Sequence, residues 1–333
     1  MFVRWLQQQW FEQRRRSPAL WLLLPLHAFF VMASTLKRRL TRPQRLSVPV
    51  IVVGNITVGG AGKTPLTLWL AEQLQQRGYQ PGIVSRGYGG KNVGPCAVTA
   101  SSDPAIVGDE ALLLARRVNR PVWVARDRLA AGRALLAAHP QVNLILCDDG
   151  LQHYRLARDF ELAVFDRRGA GNGWRLPLGP LREPWSRLAT VDAIVCNNFS
   201  GHRLPPQVRQ FTMNLQAGQF YRLDDPSRHA VASDLAGKKL YALAGIGDPG
   251  RFFDTLAQLG LSFSAQAFPD HHTYCADDLL FAKDGILLMT EKDAVKCAGL
   301  GSLETWVLPV DAVLAPTLIE YILEKLRDGR QAA

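Results

Sequence analysis

Residues 54–74 read "GNITVGGAGKTPLTLWLAEQL", and the fold turns on whether they form a phosphate-binding loop. The glycine-rich part ends in Gly62, Lys63 and Thr64, the last three positions of G-x-x-x-x-G-K-[ST]. The first glycine of that pattern is missing, and Thr57 stands in its place. Upstream, "VPVIVVGN" (48–55) is a β-branched run of the kind buried on both faces of a parallel sheet. Downstream, "TPLTLWLAEQLQQRG" (64–78) has helical periodicity and stops at a glycine. Strand, glycine loop, G-K-T and helix is the context a phosphate loop requires. Backbone N–H groups from Gly59 through Gly60, Ala61 and Gly62 to Lys63 are expected to face phosphates. Lys63 would neutralise phosphate oxygens, and Thr64 would ligate Mg²⁺.

Working outward, "VNLILCDDG" (142–150) is an apolar strand ending in Asp148 and Asp149. A carboxylate at the end of a neighbouring strand holds Mg²⁺ in phosphate-loop enzymes. Two adjacent acids also suit a turn or helix cap, but beside G-K-T the metal role reads better. "QPGIVSRGYGG" (80–90) brings Arg86 and Tyr88 to a strand end. "RPVWVARDRLAAGRALL" (120–136) brings Arg128, and "FELAVFDRRGAGNGWRLPLGPLREP" (160–184) a long Gly-, Pro- and Arg-rich loop. Alternating strands and helices predict a doubly wound parallel α/β sheet, with ligands beyond the carboxyl ends of its strands. In "VGDEALLLARR" (107–117), Asp109 and Glu110 open a helix, where an acid is favoured by the helix dipole alone.

In the second half, "VRQFTMNLQAGQFYRLDD" (208–225) has two alternating runs around Ala217-Gly218, which predicts a hairpin linking two domains. A second α/β pattern begins at Lys238. "FPDHHTY" (268–274) pairs two histidines with an aspartate. "DGILLMTEKDAVKC" (284–297) ends a strand in Glu291, Lys292 and Asp293, and fails the [NT]-K-x-D order of guanine-specific enzymes because Glu291 follows Thr290.

The 333 residues are 47% hydrophobic and 20% charged, the composition of a globular chain. Five cysteines without a C-x-x-C pair argue against a disulfide framework. The net charge of +10 is concentrated: residues 1–46 carry +8, leaving +2 for the rest. That distribution argues against a diffuse nucleic-acid-binding face. Within 1–46, "SPALWLLLPLHAFFVMASTL" (17–36) lacks any Asp, Glu, Lys or Arg and is flanked by Arg14–Arg16 and Lys37–Arg39. The segment reads as a helix, or bent helix pair, at an anionic membrane surface.

These motifs, with "GDEALLLA", "DDGLQH", "LPLGPLREP", "AGIGDPGRFF" and "LMTEKDAVK", together resemble the tetraacyldisaccharide 4'-kinases of lipid A biosynthesis over nearly the whole chain. The resemblance implies transfer of the ATP γ-phosphate, with Mg²⁺, to the 4'-hydroxyl of tetraacyldisaccharide 1-phosphate, giving lipid IVA at the cytoplasmic face of the bacterial inner membrane. It implies two α/β/α domains joined by a two-stranded linkage. The expected divisions are an N-terminal membrane segment (1–46), a phosphate-loop core (47–205), the linkage (206–235) and a smaller C-terminal domain (236–333). It makes Asp109 the proton acceptor, paired with His271 of the other domain, and gives Lys63 a catalytic part. Glu183 joins Asp148, Asp149 and Thr64 as a metal candidate. Arg86, Tyr88, Arg128, Gln152, His153 and Arg182 become candidates for substrate or phosphate contacts. No obligate protein partner is expected. In this family the loop's first glycine is not required. The alternative is a membrane-recruited nucleotide switch or metallochaperone, which the failed [NT]-K-x-D order and the lack of a Cys/His cluster disfavour.

Overall fold

A computed structural model describes residues 2–11, 17–199, 204–300 and 303–331. The chain opens with α1 (Phe2–Phe11), a 3-10 turn (Pro18–Leu23) and α2 (Leu24–Leu40). The first α/β unit then runs β1 (Val50–Gly54), α3 (Lys63–Gln76), β2 (Pro81–Ser85), β3 (Cys96–Val98), α4 (Pro104–Val107), α5 (Asp109–Arg117), β4 (Val122–Val124), α6 (Arg128–Ala138), β5 (Leu144–Asp148), β6 (Phe160–Asp166), β7 (Ala193–Asn197) and β8 (Arg209–Ala217). The second runs β9 (Phe220–Arg222), β10 (His229–Ala230), α7 (Ala232–Leu235), β11 (Leu240–Ala244), α8 (Pro249–Gln258), β12 (Phe263–Ala267), β13 (Ile286–Thr290), α9 (Glu291–Cys297) and β14 (Thr305–Leu308). The chain ends with β15 (Val310–Leu314) and α10 (Thr317–Gln331).

The first sheet has nine strands in the order β15-β8-β7-β6-β1-β5-β2-β4-β3. Its edge strands, β3 and β15, pair antiparallel; the inner pairings are parallel. Strands β1, β2, β5, β6 and β7 are buried along their whole length, which is why they read as unbroken apolar runs. Leu66, Leu70 and Leu74 of α3, Leu112 and Leu114 of α5, and Leu318 and Ile322 of α10 cover one face. Leu129 and Leu135 of α6, with Leu151 and Leu156, cover the other. The strand order reverses at β1, which sits between β5 and β6. The loops after these three strands therefore open one crevice, where ligands of open α/β sheets bind.

The second sheet, β10-β9-β14-β13-β11-β12, is six-stranded and carries its own two apolar layers. The predicted hairpin over 208–225 does not form. β8 pairs with β7 and β15 in the first sheet, whereas β9 pairs with β10 and β14 in the second. Alternation marks a strand but not its partner. The chain crosses between sheets twice, before β9 and after β14, and Gly218 N donates to Pro309 O (3.0 Å) where the crossings meet. The two-stranded linkage is β8 with β15. Residues 310–331, expected within the C-terminal unit, return to the first sheet, where Leu318, Ile319 and Ile322 of α10 are fully buried.

At the N-terminus, Leu6 and Trp10 of α1 pack with Leu20 and Leu178, and Trp10 Nε1 donates to Pro177 O (3.0 Å). α2 buries none of its residues; Leu24, Leu26, Phe29, Met32, Leu36 and Leu40 are exposed. The 23-residue stretch Pro18–Leu40 is long and apolar enough to cross a membrane. The Arg14–Arg16 cluster lies outside the described residues.

Candidate active site

The phosphate loop is built around Asn55, which follows β1 and is fully buried. Its Nδ2 donates to Thr57 Oγ1 and to Gly59 O, each at 3.3 Å, and its Oδ1 accepts from Lys63 Nζ at 3.4 Å. Left-handed backbone falls on Gly59 (φ 96°) and Gly62 (φ 93°), not on Thr57. Thr57 instead bridges Leu181 like a strand residue, with Val58 N on Pro180 O (2.9 Å) and Arg182 N on Ile56 O (2.6 Å). That is why threonine replaces glycine without strain. Gly62 is needed for space as well: a Cβ there would lie 2.6 Å from Asn197 Nδ2, which itself donates to Ala61 O (3.0 Å). α3 starts on Gly62 without a side-chain cap, so its first N–H groups suit the phosphates of ATP.

Asp148 ends β5 and is completely buried. Its Oδ1 accepts from Thr67 Oγ1 (3.2 Å), while among the described residues Oδ2 has no hydrogen-bond partner. Burial, helped by the charge of Glu110, pushes its carboxyl up to about 7 despite nearby Lys63. A buried carboxylate oxygen left over beside a phosphate loop fits a divalent cation. Thr64, at the first turn of α3, lines a crevice with Gly60, Gly62 and Lys63.

Asp149 is a counterion. It holds left-handed backbone (φ 48°), lies 3.3 Å from Lys63 Nζ, and accepts from Arg182 Nη1 at 3.1 Å through both oxygens. Burial opposes its charge, but Lys63 and then Arg182 outweigh it and hold the carboxyl well below the usual range. Arg182 also donates to Gln152 Oε1 (3.1 Å). Glu183 accepts from Gln152 Nε2 (2.7 Å) and from the Tyr154 hydroxyl. Among the described residues, no three His, Cys, Asp or Glu side chains gather as a metal-ligand set, so the expected metal group does not converge as a cage. Mg²⁺ needs none, being held by one or two carboxylates, water and substrate phosphates.

Asp109, almost fully buried, is the first residue of α5. Its Oδ2 lies 3.0 Å from His271 Nδ1, across 162 positions of sequence and between the two α/β units. His271 holds left-handed backbone (φ 59°), and the Tyr88 ring packs against it at 4.7 Å. Burial disfavours the Asp109 charge, but the His271 hydrogen bond and Lys292 outweigh it and hold the carboxyl below the ordinary aspartate value.

A cleft of about 890 Å³ reaches the loop, Asp149 and His271, while Asp109, Asp148 and Thr64 are not among its lining residues. Gly59, Lys63, Asp149 and His271 line its floor, Arg86, Tyr88, Gln152, Arg182 and Glu183 its walls, and Phe30, Lys37 and Arg38 of α2 its rim. Of the expected substrate and phosphate contacts, two stand apart from it. Arg128 is buried behind the crevice and donates to Arg126 O and Asp149 O. His153 Nε2 faces Asp127 Oδ1 at 3.3 Å, and burial, with Arg128 beside it, pushes the imidazole down to about 4.

A second crevice of about 330 Å³ lies between Thr64 and α8. Here Arg251 Nη2 donates across the units to Asn197 Oδ1 (2.7 Å). Arg168 of the first unit donates to Gly60 O (3.0 Å) and, in the second unit, to Gly247 O (3.3 Å). The sequence reading missed Asn55, Thr67, Arg168, Asn197 and Arg251. Asn55, Arg168 and Asn197 stand at or just after the carboxyl ends of β1, β6 and β7, so the strand-end rule was the signal for them.

The family model described as Tetraacyldisaccharide-1-P 4'-kinase matches residues 19–327. The protein of that name, "Tetraacyldisaccharide 4'-kinase", from Dechloromonas aromatica (strain RCB) is 65% identical over 334 residues, covering 100% of each chain. The one from Azoarcus sp. (strain BH72) is 50% identical over 327 residues, covering 96% of each. The crystal structure of the "apo" form of LpxK from Aquifex aeolicus in complex with ATP superposes with a TM-score of 0.79 at 27% identity, covering 92% of this chain and 99% of that one.

Proposed function

This chain belongs to the tetraacyldisaccharide-1-P 4'-kinase family, and from that membership we propose that it phosphorylates the 4'-hydroxyl of a tetraacyldisaccharide 1-phosphate with ATP, forming lipid IVA. It is a kinase of lipid A biosynthesis that uses ATP, and its acceptor is a lipid disaccharide. The relatives' activity favours this reading over a nucleotide switch or metallochaperone.

The observation that supports the site assignment is the Asp109–His271 pair, 3.0 Å apart and drawn from opposite units, whose His271 lines the cleft that also contains Lys63. The loop N–H groups and Lys63 bind the phosphates of ATP. Thr64 and Asp148 would hold Mg²⁺, which when bound would neutralise phosphate charge. Asp109 accepts the proton of the 4'-hydroxyl as its oxygen bonds to the γ-phosphorus, the bond to the β-phosphate oxygen breaks, and ADP leaves. His271 orients Asp109, and Arg182 and Glu183 shape the acceptor wall with Gln152. Arg86 and Tyr88 face the same cleft and suit the acceptor's sugar and phosphate.

The exposed apolar residues of α2, with Lys37, Arg38 and Arg39 in its last turn, support a position of the cleft beside an anionic membrane surface, which we assign to the cytoplasmic face of the inner membrane. The two sheets support a division into two bodies, residues 47–217 with 310–331 and residues 218–309. Purified protein with Mg²⁺, γ-³²P-ATP and the disaccharide 1-phosphate is expected to yield labelled lipid, and no label in the lipid fraction would overturn the proposal.

A further inference from the structure

Lys292 stands in the stretch whose order failed the guanine-binding pattern, and the mechanism above gives it no part. Its Nζ lies 2.9 Å from Glu110 Oε1, 3.0 Å from Asp270 Oδ1 and 3.4 Å from His271 Nε2. An ammonium has three donors and no acceptor, so these contacts exhaust it. The group is largely buried, which works against its charge. Glu110, then Asp109 and Asp270, outweigh that and hold it above the ordinary lysine range.

The contact with His271 fixes more than position. An ammonium can only donate, and at 3.4 Å it lies nearer Nε2 than Asp270 Oδ2 does at 3.8 Å, so Nε2 presents its lone pair. In a neutral ring the proton then sits on Nδ1, the nitrogen that faces Asp109 Oδ2 at 3.0 Å. The opposite tautomer would aim an N–H at the ammonium and a lone pair at the carboxylate. The charged groups around the ring are Asp109 and Glu110 from α5, Asp270 from its own loop, and Lys292 from α9, and Tyr88 covers one face. The two carboxylates that Lys292 binds are the chain neighbours of Asp109 and His271, so one ammonium ties both halves of the pair across the cleft.

Resting on the reading of Asp109 as proton acceptor, we propose that Lys292 is a positioning residue for phosphoryl transfer. It holds His271 as the Nδ1–H tautomer, whose donation keeps Asp109 ionised and aimed at the acceptor hydroxyl.

The first test needs no variant. In ¹⁵N-histidine NMR of the full chain in detergent micelles, with the His271 signal assigned by its loss in H271N, Nε2 is expected unprotonated. An Nε2–H tautomer overturns the proposal whether or not substituted proteins fold. The second is kinetic. K292M is expected to lower kcat about 10- to 100-fold while KM for ATP stays within about twofold, since binding and proton transfer are separate losses. Because Lys292 acts through His271, K292M/H271A should be no slower than H271A within about threefold. A double variant slowed by the product of the two single losses points to a structural role and overturns it. D109N separates the two readings. An active D109N removes the proton-acceptor assignment itself. An inactive D109N beside a fully active K292M removes the Lys292 proposal alone.

Discussion

Asp148 sets a conflict between stability and ligand binding that can be measured. Its carboxyl is pushed to about 7 in the folded chain; unfolded, it returns to about 3.9. Between those values the folded state binds the extra proton, so without metal the folded state loses stability as pH rises from about 4 to 7, by an amount on the order of a few kcal/mol. Asp148→Asn removes the charge and keeps an acceptor for Thr67. In EDTA at pH 8 it is expected to melt above the parent protein, with the advantage shrinking towards pH 5. Mg²⁺-ATP should reverse the order, because only the parent gains ligand stabilisation. Thermal melts at the two pH values, with and without Mg²⁺-ATP, check this, and a variant that melts lower at pH 8 in EDTA would contradict it. Some of this residue chemistry was readable in advance. Lys63, Thr64 and Asp148 belong to local patterns, each a strand end followed by a turn. The roles of Lys292 and Asn197 were not readable, because their partners lie 182, 136 and 54 residues away along the chain.

Among the elements, the N-terminal helices are tied to the phosphate loop as well as exposed. Trp10 of α1 is fastened to Pro177 O, and Pro180 in the same segment accepts from Val58 N. His27 of α2 lies 3.0 Å from Arg175 O, and Trp21 meets Trp174 edge-on at 5.7 Å. Deleting residues 1–40 should therefore do two things. It should release the protein from sedimenting membranes, since it removes the exposed apolar stretch Pro18–Leu40. It should also weaken ATP binding, since residues 174–181 lose their packing partner. Sedimentation with membranes unchanged by the deletion would refute the first effect, and an unchanged Kd for ATP the second. The apolar helix was legible because twenty residues without a charge run unbroken between Arg16 and Lys37. The predicted hairpin misled for a reason that is also physical: a period-two pattern fixes which face of a strand is apolar, and Gly218 marks a crossing between sheets as readily as a turn.

At the scale of the whole molecule, the proposed proton transfer ties the reaction to the spacing of two bodies joined by two crossings. α5 and α9 are the rails that meet across the gap. The end of α5 that carries Asp109 is joined to α9 through Glu110 and Lys292, and the far end of α5 is clamped by Arg117, whose Nη1 donates to both oxygens of Glu291 at 2.7 Å and whose Nη2 binds Asp311 of β15. Glu291 is buried, and burial raises its carboxyl even with Arg117 beside it. Arg117→Met leaves that carboxylate unpaired and should destabilise the chain by roughly 1–3 kcal/mol, lowered from fully buried pairs because the arginine is partly exposed. Adding Glu291→Met removes the orphan charge and should restore most of the stability. Activity should not follow. With the far clamp gone, Asp109 and His271 no longer meet at a fixed distance, so the double variant should regain its melting temperature yet keep a depressed kcat. Calorimetry and steady-state kinetics on the single and double variants separate the two effects. Recovery of kcat together with stability would mean that the clamp serves folding alone and that the spacing of the two bodies is set elsewhere.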